Sequence, residues 1–450
     1  MKKSSGANLT QGNPAGSLLR FAFPLILGNL FQQFYNMADS MIVGNFVSED
    51  ALAAVGASYA LTTVFIMIAI GGGNGAAVLT SQYLGAGRYQ KMKTSISTSL
   101  ITFLGVSITL GLAGLFCNHW ILTLLRTPEN VLAQAELYLG IYFMGLPFLF
   151  MYNVLASIFH ALGDSRTPLG LLIFSSVLNV ILDILSVTKL GMEVDGVAIA
   201  TVAAQGISAC ISFVLLMRKL KGYEEKGCRL FDRQMLITGT KIAVPTILQQ
   251  SIVSIGMLLV QSVVNDFGSA ALAGYSAGSR IESICVVPMI GTGNAVATFT
   301  AQNIGAGQLD RVREGYRASY RIIAVFGVLI AVILTAFNRQ IIAAFLGDEP
   351  SGQAMATGMG YLSFIAFFMV ILGAKACSDG VLRGAGDVLV FTAANLVNLA
   401  IRVTAAFTLA PVVGVAAVWY AVPIGWTVNY LISFIRYLSG HWKSKKVIAR

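Results

Sequence analysis

The sequence predicts an all-α polytopic membrane protein, with 12 transmembrane helices in two pseudo-symmetric six-helix bundles related as a parallel repeat. Three observations carry that prediction. Apolar runs of about 20 residues, the length that crosses a bilayer, recur along the whole chain. Only 11% of the 450 residues are charged and the mean hydropathy is +0.76, against about 25% charged in soluble domains. A long motif also returns after 220 residues: GGGNGAAVLTSQYLGAG at 71–87 becomes GTGNAVATFTAQNIGAG at 291–307.

The spans are expected near 18–46, 58–83, 94–117, 135–160, 167–188, 195–217, 239–264, 278–303, 319–337, 357–382, 388–410 and 414–438. The polar N-terminus has no apolar core with a cleavage site, so the first span is expected to be retained. That span holds Pro24, paired glutamines Gln32 and Gln33, and a lone carboxylate, Asp39. The proline frees a backbone carbonyl and makes a hinge possible. The second span holds the glycines at 71–75. No strand precedes them and no G-K-[ST] follows, so they read as helix packing and not as a phosphate loop. The fourth span is rich in aromatic and methionine side chains between Tyr142 and Tyr152 and holds Asn153. With Phe31, Phe34, Tyr35 and Met37 of the first span, these residues are expected to wall a soft, apolar substrate cavity. Gln32, Gln33, Tyr35, Met37, Tyr138 and Asn153 are the cavity candidates.

Six helices per period is an even number, so both halves enter the membrane from the same side. Pro24 has a twin in Pro245, LGDSRTP (162–168) echoes AGDVLVF (385–391), and Asn179 with Asp183 is echoed by Asn398 with Arg402. The expected organisation is an N-lobe at 1–218, a charged linker at 219–238 and a C-lobe at 239–450. The net charge of +10 follows topology. With the N-terminus in the cytoplasm, 24 of the 30 Lys and Arg fall on inner segments and four, Arg126, Lys189, Arg280 and Arg339, on outer loops. That asymmetry places both termini in the cytoplasm and explains the basic balance without nucleic acid. Five scattered cysteines without a C-x-x-C, and three distant histidines, offer no metal or redox framework.

The ionisable groups left inside spans are Asp39, Asp183, Glu282, Lys375, Asp379 and Arg402. Such groups are costly in a membrane and mark function by default. Asn179 lies one turn from Asp183 on the same face. Asp39, Asn179, Asp183 and Thr201 fall at a common depth in the outer half of the N-lobe. Two facing carboxylates in a low dielectric cannot both ionise cheaply, so the pair suits a proton or a Na⁺ ion. Lys375 and Asp379, four apart on one helix, pair locally. Glu282, beside Arg280 near a helix end, reads as a surface group.

Here the residues carry a family resemblance. The six-plus-six repeat resembles the multidrug and toxic compound extrusion (MATE) transporters. So do Pro24 with Asp39 fifteen residues on, the paired Gln-x-x-Gly-Ala-Gly segments at 82–87 and 302–307, the Gly-Asp pairs at 163–164 and 386–387, and Asn179 with Asp183. The resemblance implies antiport, in which a lipophilic or cationic small molecule leaves as H⁺ or Na⁺ enters. It implies a DinF-type cation site at Asp39, Asn179, Asp183 and Thr201, and a bend of the first helix at Pro24. Gln32 and Tyr138 match further N-lobe positions. The NorM-type branch has acids in helices seven and ten, whereas this chain has Gln249 and Gln250 in helix seven. The expected partners are lipophilic or cationic small molecules and the bilayer of a bacterial inner membrane. The functional unit is expected to be a monomer, with no cofactor beyond the coupling ion. The alternative is a flippase for lipids or lipid-linked oligosaccharides. No nucleophile–base set supports an enzyme, and no Walker loop supports an ATP-driven pump.

Overall fold

A computed structural model describes residues 9–46, 49–125, 127–223, 227–346, 351–445 and 447–448, with the side chains of 38–46, 49–52 and 60 outside the described set. The helices are α1 (Pro14–Phe46), α2 (Glu49–Gly85), α3 (Tyr89–Leu124), α4 (Glu129–Ala161), α5 (Arg166–Thr188), α6 (Val194–Leu220), α7 (Arg233–Asn265), α8 (Ser269–Cys285), α9 (Val287–Gly305), α10 (Leu309–Ala336), α11 (Asn338–Leu346), α12 (Gly352–Ala366), α13 (Met369–Ala385), α14 (Val388–Val413) and α15 (Ala416–Leu438). Among the described residues, 11 stretches are long and apolar enough to cross a membrane, and the pair α12–α13 makes a twelfth.

Three details differ from the expected spans. The eighth begins at Ser269 and is divided at Val286 into α8 and α9. The tenth is bent by 55° between α12 and α13, where Phe368 N bonds Ile365 O at 3.0 Å in a tight turn. The first break is marked by Pro288 in the first turn of α9, whereas the second, at Phe367 and Phe368, has neither glycine nor proline beside it. Between the ninth and tenth spans lies α11, whose Ile342 is fully buried against Leu362 and Ala366 of α12.

The membrane character shows in which residues face outward. On α10, Val325, Val328, Leu329 and Val332 lie on one face and are 55–69% exposed. In water an apolar face of that size would be an interaction site; in lipid it is the solvated face.

The chain divides into two compact units. Unit 1 holds residues 27–247. Unit 2 holds residues 9–26 and 248 onward. The division therefore falls inside α1 and α7, two residues past Pro24 and two past Pro245. Both helices continue through their proline.

Each unit grips its incoming helix in the same way. In unit 1, a Cβ on Gly71 would stand 2.7 Å from Ile247 Cγ1, and one on Gly75 would stand 2.8 Å from Gly239 O. In unit 2, a Cβ on Gly291 would stand 2.6 Å from Ile26 Cγ1. The glycine repeat is thus a site of close helix approach, as small residues provide in membranes. The chain before each incoming helix is also held alike. Lys93 Nζ donates to Tyr223 O at 2.5 Å in unit 1, and Arg311 donates to the carbonyls of Gln11 and Gly12 at 2.7 and 2.6 Å in unit 2.

The second half of the motif is a helix stop. Gly87 and Gly307 have φ of 68° and 74°, a left-handed conformation that glycine adopts without steric cost. The Gly-Asp pairs form a matching corner. Asp164 accepts from Lys219 Nζ at 2.6 Å, and Asp387 accepts from Arg436 Nε at 2.7 Å. Each bond ties the start of α5 or α14 to the last turn of α6 or α15.

Burial would raise the Asp164 carboxyl, but bonds from Lys219 and Thr167 outweigh it and hold the group below its ordinary value of 3.8. Its contribution is therefore complete above that pH and is lost as pH falls through the lower, folded value. Both side chains are under 10% exposed. Asp164→Asn should cost about 3 kcal/mol at pH 7 by leaving the ammonium buried. Thermal unfolding in detergent should show that gap closing in acid below pH 3.8.

Candidate functional site

The helix that positions the site is α5, and its polarity is inverted. Ile173, Phe174, Val177, Ile181, Ile184 and Leu185 are 40–50% exposed, while Ser175, Ser176, Asn179, Asp183 and Ser186 are buried. A helix in water would hide the first set. In lipid the apolar side chains face outward, and the polar stripe faces the interior of unit 1.

The stripe has partners on two other helices. Tyr35 of α1 donates its hydroxyl to Asn179 Oδ1. Asn179 Nδ2 donates to Thr201 Oγ1 of α6 at 3.4 Å. Ser175 Oγ donates to Ala204 O of α6 at 3.4 Å, and Ser186 Oγ donates to Asp183 O at 3.0 Å. Asp183, one turn beyond Asn179, is 0% exposed. An amide, two hydroxyls and a carboxylate are thus gathered on neighbouring turns inside an apolar body.

Of the expected ion-site residues, the structure brings Asn179 and Thr201 together, with Asp183 on the same face of α5. The backbone of α1 runs through Asp39, but its side chain lies outside the described residues. Tyr35, read from sequence as a cavity residue, instead bonds directly to the Asn179 group. Ser175, Ser176 and Ser186 were missed, although their spacing around Asn179 and Asp183 is the signal that finds them.

The other cavity candidates spread out. Gln32 Nε2 donates to Asn36 Oδ1 on its own helix at 2.9 Å, and Gln33 and Met37 are half-buried nearby. Tyr138 stacks on Tyr142 at 6.5 Å. Asn153 Nδ2 donates to Leu149 O of its own helix at 2.8 Å. The aromatic stretch of α4 is not one wall. Phe143 and Phe150 are core, at 1% and 0% exposed, while Met144 and Phe148 face an outer groove against α6 at 60% and 41%. The run encircles its helix, because consecutive residues turn about 100° apart.

Unit 2 carries a different polar network. Asp379 accepts from Ser433 Oγ at 2.6 Å, Asn395 Nδ2 at 3.2 Å and Lys375 Nζ at 3.1 Å. Lys375 also donates to Asn395 Oδ1 at 2.9 Å. The i,i+4 pair expected from sequence is present, and charge and hydrogen bonding close on themselves. Glu282 is not a surface group. It is half-buried, and the buried Tyr361 donates its hydroxyl to Glu282 Oε2. Among the described residues no group of three or more His, Cys, Asp or Glu could hold a metal ion.

The MatE family model matches this chain twice, at residues 24–185 and 245–408, one match in each half of the internal repeat. The chain is 32% identical over 444 residues to "Probable multidrug resistance protein YpnP" of Bacillus subtilis (strain 168), with 98% of each covered. It is 27% identical to "FAD transporter" of Shewanella oneidensis, over 84% of this chain and 81% of that one. It also superposes on an "outward-facing conformation of a multidrug resistance MATE family transporter" with a TM-score of 0.90. That match covers 99% of this chain and 100% of the other at 22% identity, a likeness of fold.

Proposed function

The chain belongs to the MatE family, a family of transporters and not of enzymes, and from that premise we propose that it is a secondary active multidrug efflux antiporter. It exports lipophilic or cationic small molecules in exchange for H⁺ or Na⁺. The observation that carries the ion role is the group in unit 1 made by buried Asn179 and Asp183 with half-buried Tyr35 and Thr201. Oxygen ligands of this kind suit a proton or a hard monovalent cation. Asp39 is assigned as the second carboxylate of that site, in the manner of the DinF-type branch. The drug class is supported by the names of relatives such as the Bacillus subtilis protein.

In this reading, an ion entering from outside neutralises Asp183 and Asp39. The first helix then bends at Pro24, two residues from where it passes from one compact unit to the other. Alternating access follows from that change, and the chain works as a monomer in a bacterial inner membrane with both termini cytoplasmic. One charge crossing 100 mV supplies about 2.3 kcal/mol. A total ion gradient of about 200 mV therefore sustains roughly a thousandfold drug gradient.

A lipid flippase of the same superfamily would need a cationic cavity. Lys375 is already bonded to Asp379 and Asn395, which disfavours that reading.

The test uses purified protein in proteoliposomes with imposed ΔpH or ΔNa⁺ and an ethidium-like dye. One gradient should drive dye export in the wild type, and Asp39→Asn should lose that drive. Equal export by the mutant would remove Asp39 from the mechanism. No dye movement alongside transfer of a lipid-linked substrate would favour the flippase.

A further inference from the structure

Unit 2 contains a cavity of about 490 Å³ that the transport reading does not use. It lies between the first turns of α10, the last turns of α15 and the short 3-10 turn at 441–444. Among the described residues, three cations line it, Arg313, Arg317 and Lys443, and no acid does.

Its floor is aromatic and hydroxylated. The Tyr316 hydroxyl meets Ser378 Oγ and the Tyr320 hydroxyl, each at 2.6 Å, and Tyr320 donates to the Tyr430 hydroxyl at 3.1 Å. Tyr437 packs on Tyr316 with centroids 4.2 Å apart and stacks on Trp442 at 5.7 Å. Lys443 Nζ sits 5.7 Å over the Trp442 ring. Among the described residues Arg313 pairs with Asp310, which is 89% exposed, so water competes for that bond.

The internal repeat shows what such a corner does when it is filled by the chain itself. The positions that match Arg313 and Arg317 in unit 1 are Lys93 and Ser97. Lys93 donates to Tyr223 O and Ser97 to Arg229 O, both in the segment leading into α7. In unit 2 the segment leading into α1 is held by Arg311 and Asn303 instead. Arg313 and Arg317 thus face a cavity where their twins face peptide oxygens.

The surroundings say what kind of ligand fits. Both helices reach the cavity at an end of their span, where tyrosine and tryptophan settle at headgroup depth. Leu438, on the cavity lining, is 65% exposed, and Ile435 one turn back on α15 is 64% exposed. An apolar lane therefore runs from the cations along α15 into the lipid-facing surface.

We infer that this corner binds the phosphate headgroup of an anionic phospholipid, held by Arg313, Arg317 and Lys443, with the lipid tail along α15. A free phosphate or a nucleotide offers the same anion without the tail.

The full-length protein in detergent is titrated with phosphatidylglycerol and followed by native mass spectrometry. At about 1 kcal/mol per cation, the triple substitution Arg313→Gln, Arg317→Gln, Lys443→Gln should weaken tight binding by about a hundredfold. Replacing Arg313 and Arg317 with lysine should restore most of it. Arg339→Gln, a basic site elsewhere, should leave it unchanged. Photoactivatable phosphatidylglycerol should crosslink to the first turns of α10 and the end of α15, and lose those crosslinks in the triple variant. Unchanged affinity and crosslinks in a folded triple variant would overturn the site. Inorganic phosphate or ADP binding as tightly, with the same dependence on the three cations, would overturn the lipid as its occupant. Neither result bears on ion-driven dye export, which is measured separately.

Discussion

Asp183→Asn should reduce gradient-driven dye export to the level of protein-free liposomes, while the folded protein melts no lower than wild type. The two halves of that expectation have separate causes. Asparagine has nearly the shape of aspartate, so no cavity opens at a position that is 0% exposed. It also removes a charge from an apolar interior, where burial disfavours it. A residue that served only to join helices would therefore tolerate the change, and transport would persist. A residue that takes up H⁺ or Na⁺ cannot, because the amide does not titrate and carries no charge for the ion to balance. Tyr35→Phe should act more mildly. It deletes the hydroxyl that donates to Asn179 Oδ1, worth about 1 kcal/mol or roughly a fivefold weaker ion response. Half-saturating ion concentrations, read from export rates against pH or Na⁺, separate the two effects. Full gradient-driven export in a stable Asp183→Asn protein would remove the coupling role from α5.

Much of this site was legible because α5 announces itself. Asn179 and Asp183 are one turn apart in an otherwise apolar helix, and buried Ser175 and Ser186 extend the same stripe. What no pattern within one helix conveys is who meets that stripe. Tyr35 lies 144 residues from Asn179, and its role depends on helix packing, not on its neighbours in sequence. The twelve spans were legible from apolar length and from the repeat. The bend between α12 and α13 was not, because Phe367 and Phe368 are not helix breakers by composition. Glu282 misled for a related reason. Its neighbour Arg280 suggested a wet surface, but the group that fixes it is Tyr361, from α12. The glycine repeat was read correctly as packing. Its second half turned out to serve another purpose, stopping α2 and α9 through Gly87 and Gly307.

Gly384→Val should be among the most damaging single changes in unit 2, costing about 3 kcal/mol, the upper end for overpacking. The reason is backbone lying against backbone. A Cβ at Gly384 would stand 2.2 Å from Ala297 O and 2.9 Å from Thr300 Cβ. One turn earlier on α13, a Cβ at Gly380 would stand 2.4 Å from Gly293 O, and across the contact a Cβ at Gly293 would stand 2.6 Å from Ala376 O. Carbonyl oxygens of a helix cannot swing aside as a flexible side chain can. Accommodation requires α9 and α13 to part along their whole contact. In lipid no hydrophobic force rejoins them, because association there rests on close van der Waals packing. The same substitution chemistry should reverse sign elsewhere. Gly105, inside α3, has nothing within 4 Å of its would-be Cβ, so Gly105→Ala should stabilise by about 0.5–1 kcal/mol, the helix penalty of glycine. Thermal unfolding of both variants and of Gly384→Ala in one detergent measures the contrast. Gly384→Ala melting as high as Gly105→Ala would show that α9 and α13 are not in backbone contact. The opposite ranking would identify that contact as a rigid seam of the unit.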